Sequence, residues 1–337
     1  DNFQVRSFLP FWKRDDLVRK VLWERQVAKE AEKDGCNAFL SLYQASTIFQ
    51  STINNQQNAI RHVMVVHDVI PRIFPDYQGN MRQRYHWKKV ERAIKKADHL
   101  IAVSEATKND LVEFGVAADN ITVASPGVSP LFRTVLVPEE ENRVMATYGL
   151  VPGYIYHGGG LEVRKNTEGL LRAYALLRDK EKQGALGAVL PPLVISGKIF
   201  SEKNPLATPV QALIQELGLG EHVRLLDFVP EKDLPALYKN ALFFAYPSLY
   251  EGFGLPVLEA LSLGTPVLTG DNSSLPEVAG DAALYIDSQQ PESIASGMER
   301  LLVDSNLRAA LSEAARKQRG RFQYEHFVES VLDCFKH

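Results

Sequence analysis

Glu251 and Glu259 stand eight positions apart in EGFGLPVLEA, with a Gly-Phe-Gly turn and a proline between them. Pro256 suits the first turn of a helix, where its fixed φ fits and its missing N–H is not needed. Gly252 and Gly254 relax the steric limits on the turn before it and let a ligand approach the main chain, while the first N–H groups of the helix lack intrahelical partners. Such an end attracts phosphate. A second loop, HGGGLEVRKN, follows an apolar strand and carries two adjacent cations, Arg164 and Lys165. A guanidinium fork and an ammonium suit a diphosphate. Taken singly, these cations read as solvated charges, Glu259 as an exposed helix residue and Glu251 as a turn acid. Two phosphate-type loops on one sheet instead favour a shared anionic ligand, which leaves the two flanking acids to be explained.

Other chemistries fail on spacing. Gly158 and Gly160 are followed by Val163 where a dinucleotide fingerprint needs its third glycine, and the Gly197-Lys198 pair has Pro192 and Ile199 where a P-loop needs glycine and serine or threonine. No His-Glu-x-x-His or Asp-x-Asp cluster occurs, so neither a metal nor another cofactor is expected. The net charge of −3 argues against a general nucleic-acid binder, whose footprint is strongly basic. Cys36 and Cys334 form no CxxC and no disulfide framework, which fits a reducing cytoplasm. No apolar run approaches the roughly 18 residues of a membrane span. The sequence opens at Asp1 rather than Met, so the N-terminus is expected to be incomplete, and the first residues of the chain show no signal peptide.

The loops need a frame to hold them. From Tyr154 onward, strand-like and helix-like segments alternate (YIYH, TEGLLRAYALLR, LVIS, VQALIQEL, and so on), and the first half repeats the pattern less fully with AFLSL, HVMVVHD and HLIAVS. Alternation of this kind predicts α/β architecture with parallel sheets and helices on both faces. The 337 residues, 45% hydrophobic, suffice for two such domains at roughly 100 to 200 residues each. Ser129 to Arg143, with two prolines and an acidic cluster, reads as the linker.

The run from Tyr246 to Asp287 resembles the nucleotide-sugar signature of the family-4 glycosyltransferases, with Glu251 and Glu259 at its Glu-x7-Glu spacing. LEVRKN, VRLLDFVPEKDLPALYKNA, VVHDVIP, IAVSEATKNDL and TVASPGVSPLF resemble further landmarks of that family, so the likeness runs from about His62 to the end. It implies the GT-B fold, two Rossmann-like domains facing each other across a cleft. The expected parts are an acceptor-side domain over residues 1–135, a nucleotide-sugar domain over 146–318, and a final helix over 319–337 packing back on the first.

The resemblance also assigns roles. Glu259 takes the ribose hydroxyls and Glu251 lies by the transferred sugar, because carboxylates accept hydrogen bonds from hydroxyls. Gly252, Phe253, Gly254 and Leu255 hold the diphosphate through main-chain N–H groups. Gly159, Gly160, Arg164 and Lys165 complete its site, and Lys198, Phe228 and Val229 sit near the nucleobase. The family often carries a cation where Gly160 stands, so this chain is expected to lean on Arg164 and Lys165. His67, ending an apolar strand, is expected beside sugar and acceptor. Asp68 and Ser104 are acceptor-side candidates that read equally well as helix or turn caps. The family's N-terminal glycine-rich acceptor loop is not recognisable in residues 2–49.

Residues 81–97, MRQRYHWKKVERAIKKA, hold seven Lys or Arg against one Glu, with Tyr85 and Trp87 interleaved. They read as a solvated helix face or as a contact for an anionic acceptor or membrane, where each cation adds about 1 kcal/mol. Phe8 to Gln26 mixes aromatics with cations in the same way. The expectation is therefore a retaining, metal-independent glycosyltransferase at the inner face of the cell membrane. It moves glucose or mannose from a UDP- or GDP-sugar to a glycan or lipid-linked acceptor. The alternative is a catalytically silent nucleotide-sugar-binding subunit of a glycan-assembly complex.

Overall fold

Among the described residues, alternating apolar strands and helices build two wholly parallel sheets, one of four strands and one of six. The computed structural model describes residues 17–48, 60–198 and 204–336. Part of the aromatic and cationic stretch from Phe8 to Gln26, and Ile199 after the Gly197-Lys198 pair, lie outside the described residues. The chain divides into one unit of Asp1–Ala124 with Phe327–His337 and another of Ser125–His326.

The first unit contains α1 (Leu17–Lys33), β1 (Ala38–Ser41), β2 (Arg61–Val66), α2 (Ile70–Ile73), α3 (Met81–Lys96), β3 (His99–Ala102), α4 (Glu105–Glu113) and β4 (Ile121–Val123). Its sheet runs in the order β1-β2-β3-β4. Buried Met64, Val66, Trp87, Ile94, Leu100 and Leu111 pack between sheet and helices. α3 opens with a capping box in which Asn80 and Gln83 satisfy each other's main-chain N–H. It buries Trp87, Val90, Ala93 and Ile94 and leaves Met81 and Tyr85 exposed. One face of this strongly basic helix is therefore core and the opposite face is charged.

The second unit holds α5 (Pro138–Tyr148), β5 (Tyr154–His157), α6 (Thr167–Lys182), β6 (Leu193–Ser196), α7 (Val210–Glu216), β7 (Val223–Leu226), α8 (Leu234–Lys239) and β8 (Ala241–Tyr246). It continues with α9 (Leu255–Ser262), β9 (Val267–Gly270), α10 (Leu275–Ala279), β10 (Ala283–Ile286), α11 (Pro291–Val303), α12 (Ser305–Gln318) and α13 (Tyr324–Asp333), of which Phe327 onward belongs to the first unit. The strand order is β10-β9-β8-β5-β6-β7. Ile155, Ile195, Phe243 and Leu268 of the sheet meet Leu170, Leu171 and Met298 of the flanking helices in a closed core. The order reverses between β5 and β8, and β8 is the strand that leads into EGFG. Ligands of open α/β sheets gather at such a carboxyl edge.

The segment read as a linker is built into this second unit. Phe132 is buried, its ring 5.8 Å from that of Tyr238. Pro138 opens α5 with Glu139, Glu140 and Glu141 in the first turn, where the helix dipole favours them. Arg143 and Tyr148 of that helix both bind the buried carboxylate of Asp233, the tyrosine at 3.0 Å. Truncating Phe132 to alanine should cost about 3 to 5 kcal/mol as a buried aromatic, measured by urea unfolding. A change below about 0.5 kcal/mol would return the segment to linker status.

Candidate active site

A dense polar cluster forms where the loops after β5 and β8 meet. Glu251 and Lys165 are 6% and 5% exposed. One carboxylate oxygen of Glu251 accepts from Lys165 Nζ, Tyr246 Oη and Ser248 Oγ, each at 2.7 Å. The other meets Arg164 Nη1 at 2.8 Å. Lys165 also donates to Tyr246 Oη at 2.5 Å, closing a triangle of lysine, phenol and carboxylate. Burial alone would raise the Glu251 pKa, but Lys165 and Arg164 outweigh it and bring it down to about 2. Burial lowers that of Lys165, with Glu251 opposing. One carboxylate thus holds two cations at fixed positions, and Glu162 Oε2, 3.2 Å from Arg164 Nε, balances the formal charge of the four groups.

The local sequence explains why these groups meet. Asn166 adopts a left-handed φ of 56° and caps α6 through Gly169 N at 3.2 Å. Its amide donates to Pro247 O at 3.2 Å and Ser288 O at 2.6 Å, tying the cationic loop to those after β8 and β10. Arg164 O in turn accepts from Leu249 N at 2.8 Å. Beneath the loop, buried His157 donates from Nδ1 to Ala245 O at 2.9 Å, and its Nε2 lies 3.0 Å from Thr167 Oγ1. Burial holds that imidazole neutral, with a pKa of about 4. Gly159, at φ 93°, brings its main chain against α9: an added Cβ would stand 2.9 Å from Pro256 Cγ and 3.2 Å from the Tyr246 ring.

α9 begins at Leu255 behind Gly254, and no side chain caps it. Pro256 has no N–H and Val257 N donates back to Gly254 O at 3.0 Å, so this end offers a ligand the main-chain N–H groups of Phe253, Gly254 and Leu255. Glu251 N donates to Ser273 Oγ at 3.0 Å, and Ser274 Oγ donates to Phe253 O at 2.7 Å, fixing the glycine turn from below. Phe253 is buried against the Phe322 ring. On α9, Glu259 accepts from the buried phenol of Tyr238 at 2.9 Å. Burial pushes the Glu259 carboxyl up to about 7, against the hydrogen bond from Tyr238.

Other expected residues lie apart from this cluster. Lys198 and Phe228 are exposed on the loops after β6 and β7, and Val229 beside Phe228 is buried. Gly160 has open space around it. In the first unit, His67 is exposed at the end of β2, its Nε2 donating to Leu42 O at 2.8 Å. Asp68 accepts from Ile70 N at 3.0 Å and Ser104 from Thr107 N at 3.0 Å, which are the capping roles. Thr107 also donates to His67 O at 3.5 Å, so His67 and the helix capped by Ser104 share one sheet edge. Tyr246, Ser248, Asn166 and Tyr238 are the positioning residues that the motif reading missed. The polar roles of Tyr246 and Tyr238 are invisible within apolar ALFFAY and amphipathic LPALYK.

Residues 152–318 match the model of the group 1 glycosyl transferases and residues 6–130 that of glycosyltransferase family 4. The chain is 33% identical over 279 residues to the O-antigen chain mannosyltransferase B of Escherichia coli, covering 82% of this chain and 70% of the relative. The chain belongs to the family-4 glycosyltransferases. Among solved structures it resembles the sucrose-phosphate synthase of Thermosynechococcus elongatus (TM-score 0.76, 19% identity, 97% of this chain and 80% of that one). It also resembles Anabaena Alr3699/HepE in complex with UDP and glucose (TM-score 0.72, 17% identity, 97% and 84%). At those identities the likeness is one of fold, and the fold of this family-4 member is GT-B.

Glu259 offers a direct test of the site through pH. With a pKa near 7 it becomes a carboxylate only as pH rises through neutrality, and hydroxyls donate better to the ionised form. The prediction is that the ratio of wild-type to Glu259→Gln affinity for a nucleoside diphosphate grows about tenfold from pH 6 to pH 8 by calorimetry. Phosphate ionisation cancels in that ratio. A flat ratio would detach Glu259 from the nucleotide.

Proposed function

We propose that this glycosyltransferase moves a mannosyl group from GDP-mannose to a growing glycan. The cluster of Glu251, Lys165 and Arg164 beside the uncapped start of α9 carries the reading. In it, the two cations and the main-chain N–H groups of Phe253 to Leu255 neutralise the diphosphate and stabilise charge developing on it as it leaves. Glu259 accepts from the ribose hydroxyls, while Lys198, Phe228 and Val229 flank the base. Support for mannose is the name of the Escherichia coli relative. UDP-glucose is the second reading, supported by the sugar and nucleotide named for the Anabaena neighbour.

The transfer keeps anomeric configuration by same-face attack assisted by the departing phosphate, and needs no resident metal. His67 orients sugar and acceptor hydroxyls. The acceptor is a glycan or a lipid-linked glycan. Among the described residues no helix is long and apolar enough to cross a membrane. Contact with an anionic bilayer falls to the exposed cations of α3, read by sedimentation with phosphatidylglycerol vesicles: failure to co-sediment at low salt removes it.

Nucleotide release from GDP-mannose and UDP-glucose, with and without an α-mannoside acceptor and with chelator present, tests the reading. Joint replacement of Arg164 and Lys165 by alanine should lower both nucleotide affinity and turnover, turnover by about 10²-fold or more. Circular dichroism guards against unfolding, since the pair otherwise leaves Glu251 buried and unpaired. His67→Ala should depress kcat while nucleotide affinity barely moves. A wild-type chain that binds the nucleotide yet never releases it from any donor is instead a silent binding subunit. Activity lost to chelator and restored by magnesium would overturn metal independence.

A further inference from the structure

The second unit carries another concavity at the same carboxyl edge, a groove of about 500 Å³ beside the loops after β9 and β10. That volume lies within the range of small-ligand sites, roughly 300 to 1,000 Å³. Asp271, Asn272, Tyr285, Asp287, Ser288 and Gln289 supply most of its polar lining, with Leu249 and Ile286 as apolar surface. Strand order fixes where this groove stands. The loops expected to hold the nucleotide follow β5, β6, β7 and β8, whereas β9 and β10 lie beyond β8 at the other end of the strand order. Neighbouring strands are about 4.8 Å apart, so the groove begins roughly 5 to 10 Å from the strand that delivers Glu251.

The wall between groove and cluster is continuous. Asn272 donates to Ser248 O at 3.1 Å and to Ser288 Oγ at 3.3 Å, and accepts from Ser273 Oγ at 3.2 Å. Ser248 and Ser273 are the same serines that bind Glu251 through its carboxylate and its main-chain N–H. A ligand in the groove would therefore sit directly behind the place where the transferred sugar is expected.

The lining selects the ligand class. It contains no lysine, arginine or histidine, so it is not a second phosphate site. Among the described residues no group of three or more His, Cys, Asp or Glu converges on a cation. What remains is a pair of carboxylates with amides and hydroxyls that donate and accept, set against two aliphatic side chains. Hydroxyl-rich rings with apolar C–H faces match such a surface.

We propose that this groove is an accessory saccharide subsite that holds a distal part of the growing glycan, on the side of Glu251 away from the nucleotide. It rests on the glycan-acceptor reading above and adds a preference for acceptors longer than one sugar.

The experiment is calorimetric titration of α-linked mannotetraose and of methyl α-mannoside into the full chain with GDP present, repeated on Gln289→Trp and Asp271→Asn. The wild-type chain should bind the tetrasaccharide at least tenfold more tightly than the monosaccharide. Gln289→Trp, which fills the groove from an exposed position, should abolish that advantage, and Asp271→Asn should weaken it, with GDP affinity unchanged in both. Equal affinity for the two sugars, no tetrasaccharide binding at millimolar concentration, or a length advantage that survives both substitutions would overturn the proposal. Failure of the donor reading would appear separately, as loss of GDP binding in the wild-type chain.

Discussion

A buried carboxylate shared by two cations organises the second unit of this protein. Removing such charges from water is costly unless they are paired and hydrogen-bonded, and the arrangement around Glu251 meets both conditions. Lys165, Tyr246, Ser248 and Arg164 all converge on its two oxygens. The loop after β5 and the loop after β8 are thereby locked together, more than eighty positions apart in sequence. Asn166 extends the lock to the loop after β10. Preorganisation of this kind is what a site stabilising transient charge requires, because donors already in place need no reorganisation during reaction.

The same interaction refines the division of labour among acids and cations. The sequence reading sent acids to hydroxyls and cations to phosphate. The structure shows Glu251 joined to the cations themselves, so its first physical effect is to hold Arg164 and Lys165 where an anion could meet them. Glu259 behaves differently although it belongs to the same spacing. It receives one phenolic hydrogen bond and no cation within bonding distance among its described contacts, and its carboxyl stays near neutrality rather than near 2. Two glutamates with one motif therefore have separate electrostatic environments.

Much of this was legible in the chain. Gly254 and Pro256 marked the start of α9, alternating segments marked the parallel sheets, and the Glu251 to Glu259 spacing marked the family. What stayed hidden depends on partners distant in sequence. Tyr246 looked like one more apolar strand residue, since only the fold brings Lys165 to its hydroxyl. The segment from Ser129 to Arg143 looked like a linker because prolines and acids are common in loops. Yet Pro138 followed by three glutamates is also how a helix begins, and Phe132 needed a pocket against Tyr238 that no local pattern reveals.

The most direct measurement is a crystal structure of the chain with GDP bound. The expected result is β-phosphate oxygens within about 2.7 to 3.2 Å of Arg164, Lys165 and the main-chain N–H groups of Phe253 to Leu255, with the ribose hydroxyls on Glu259. A nucleotide seated elsewhere, with Glu251 still joined to both cations and no phosphate beside them, would contradict it.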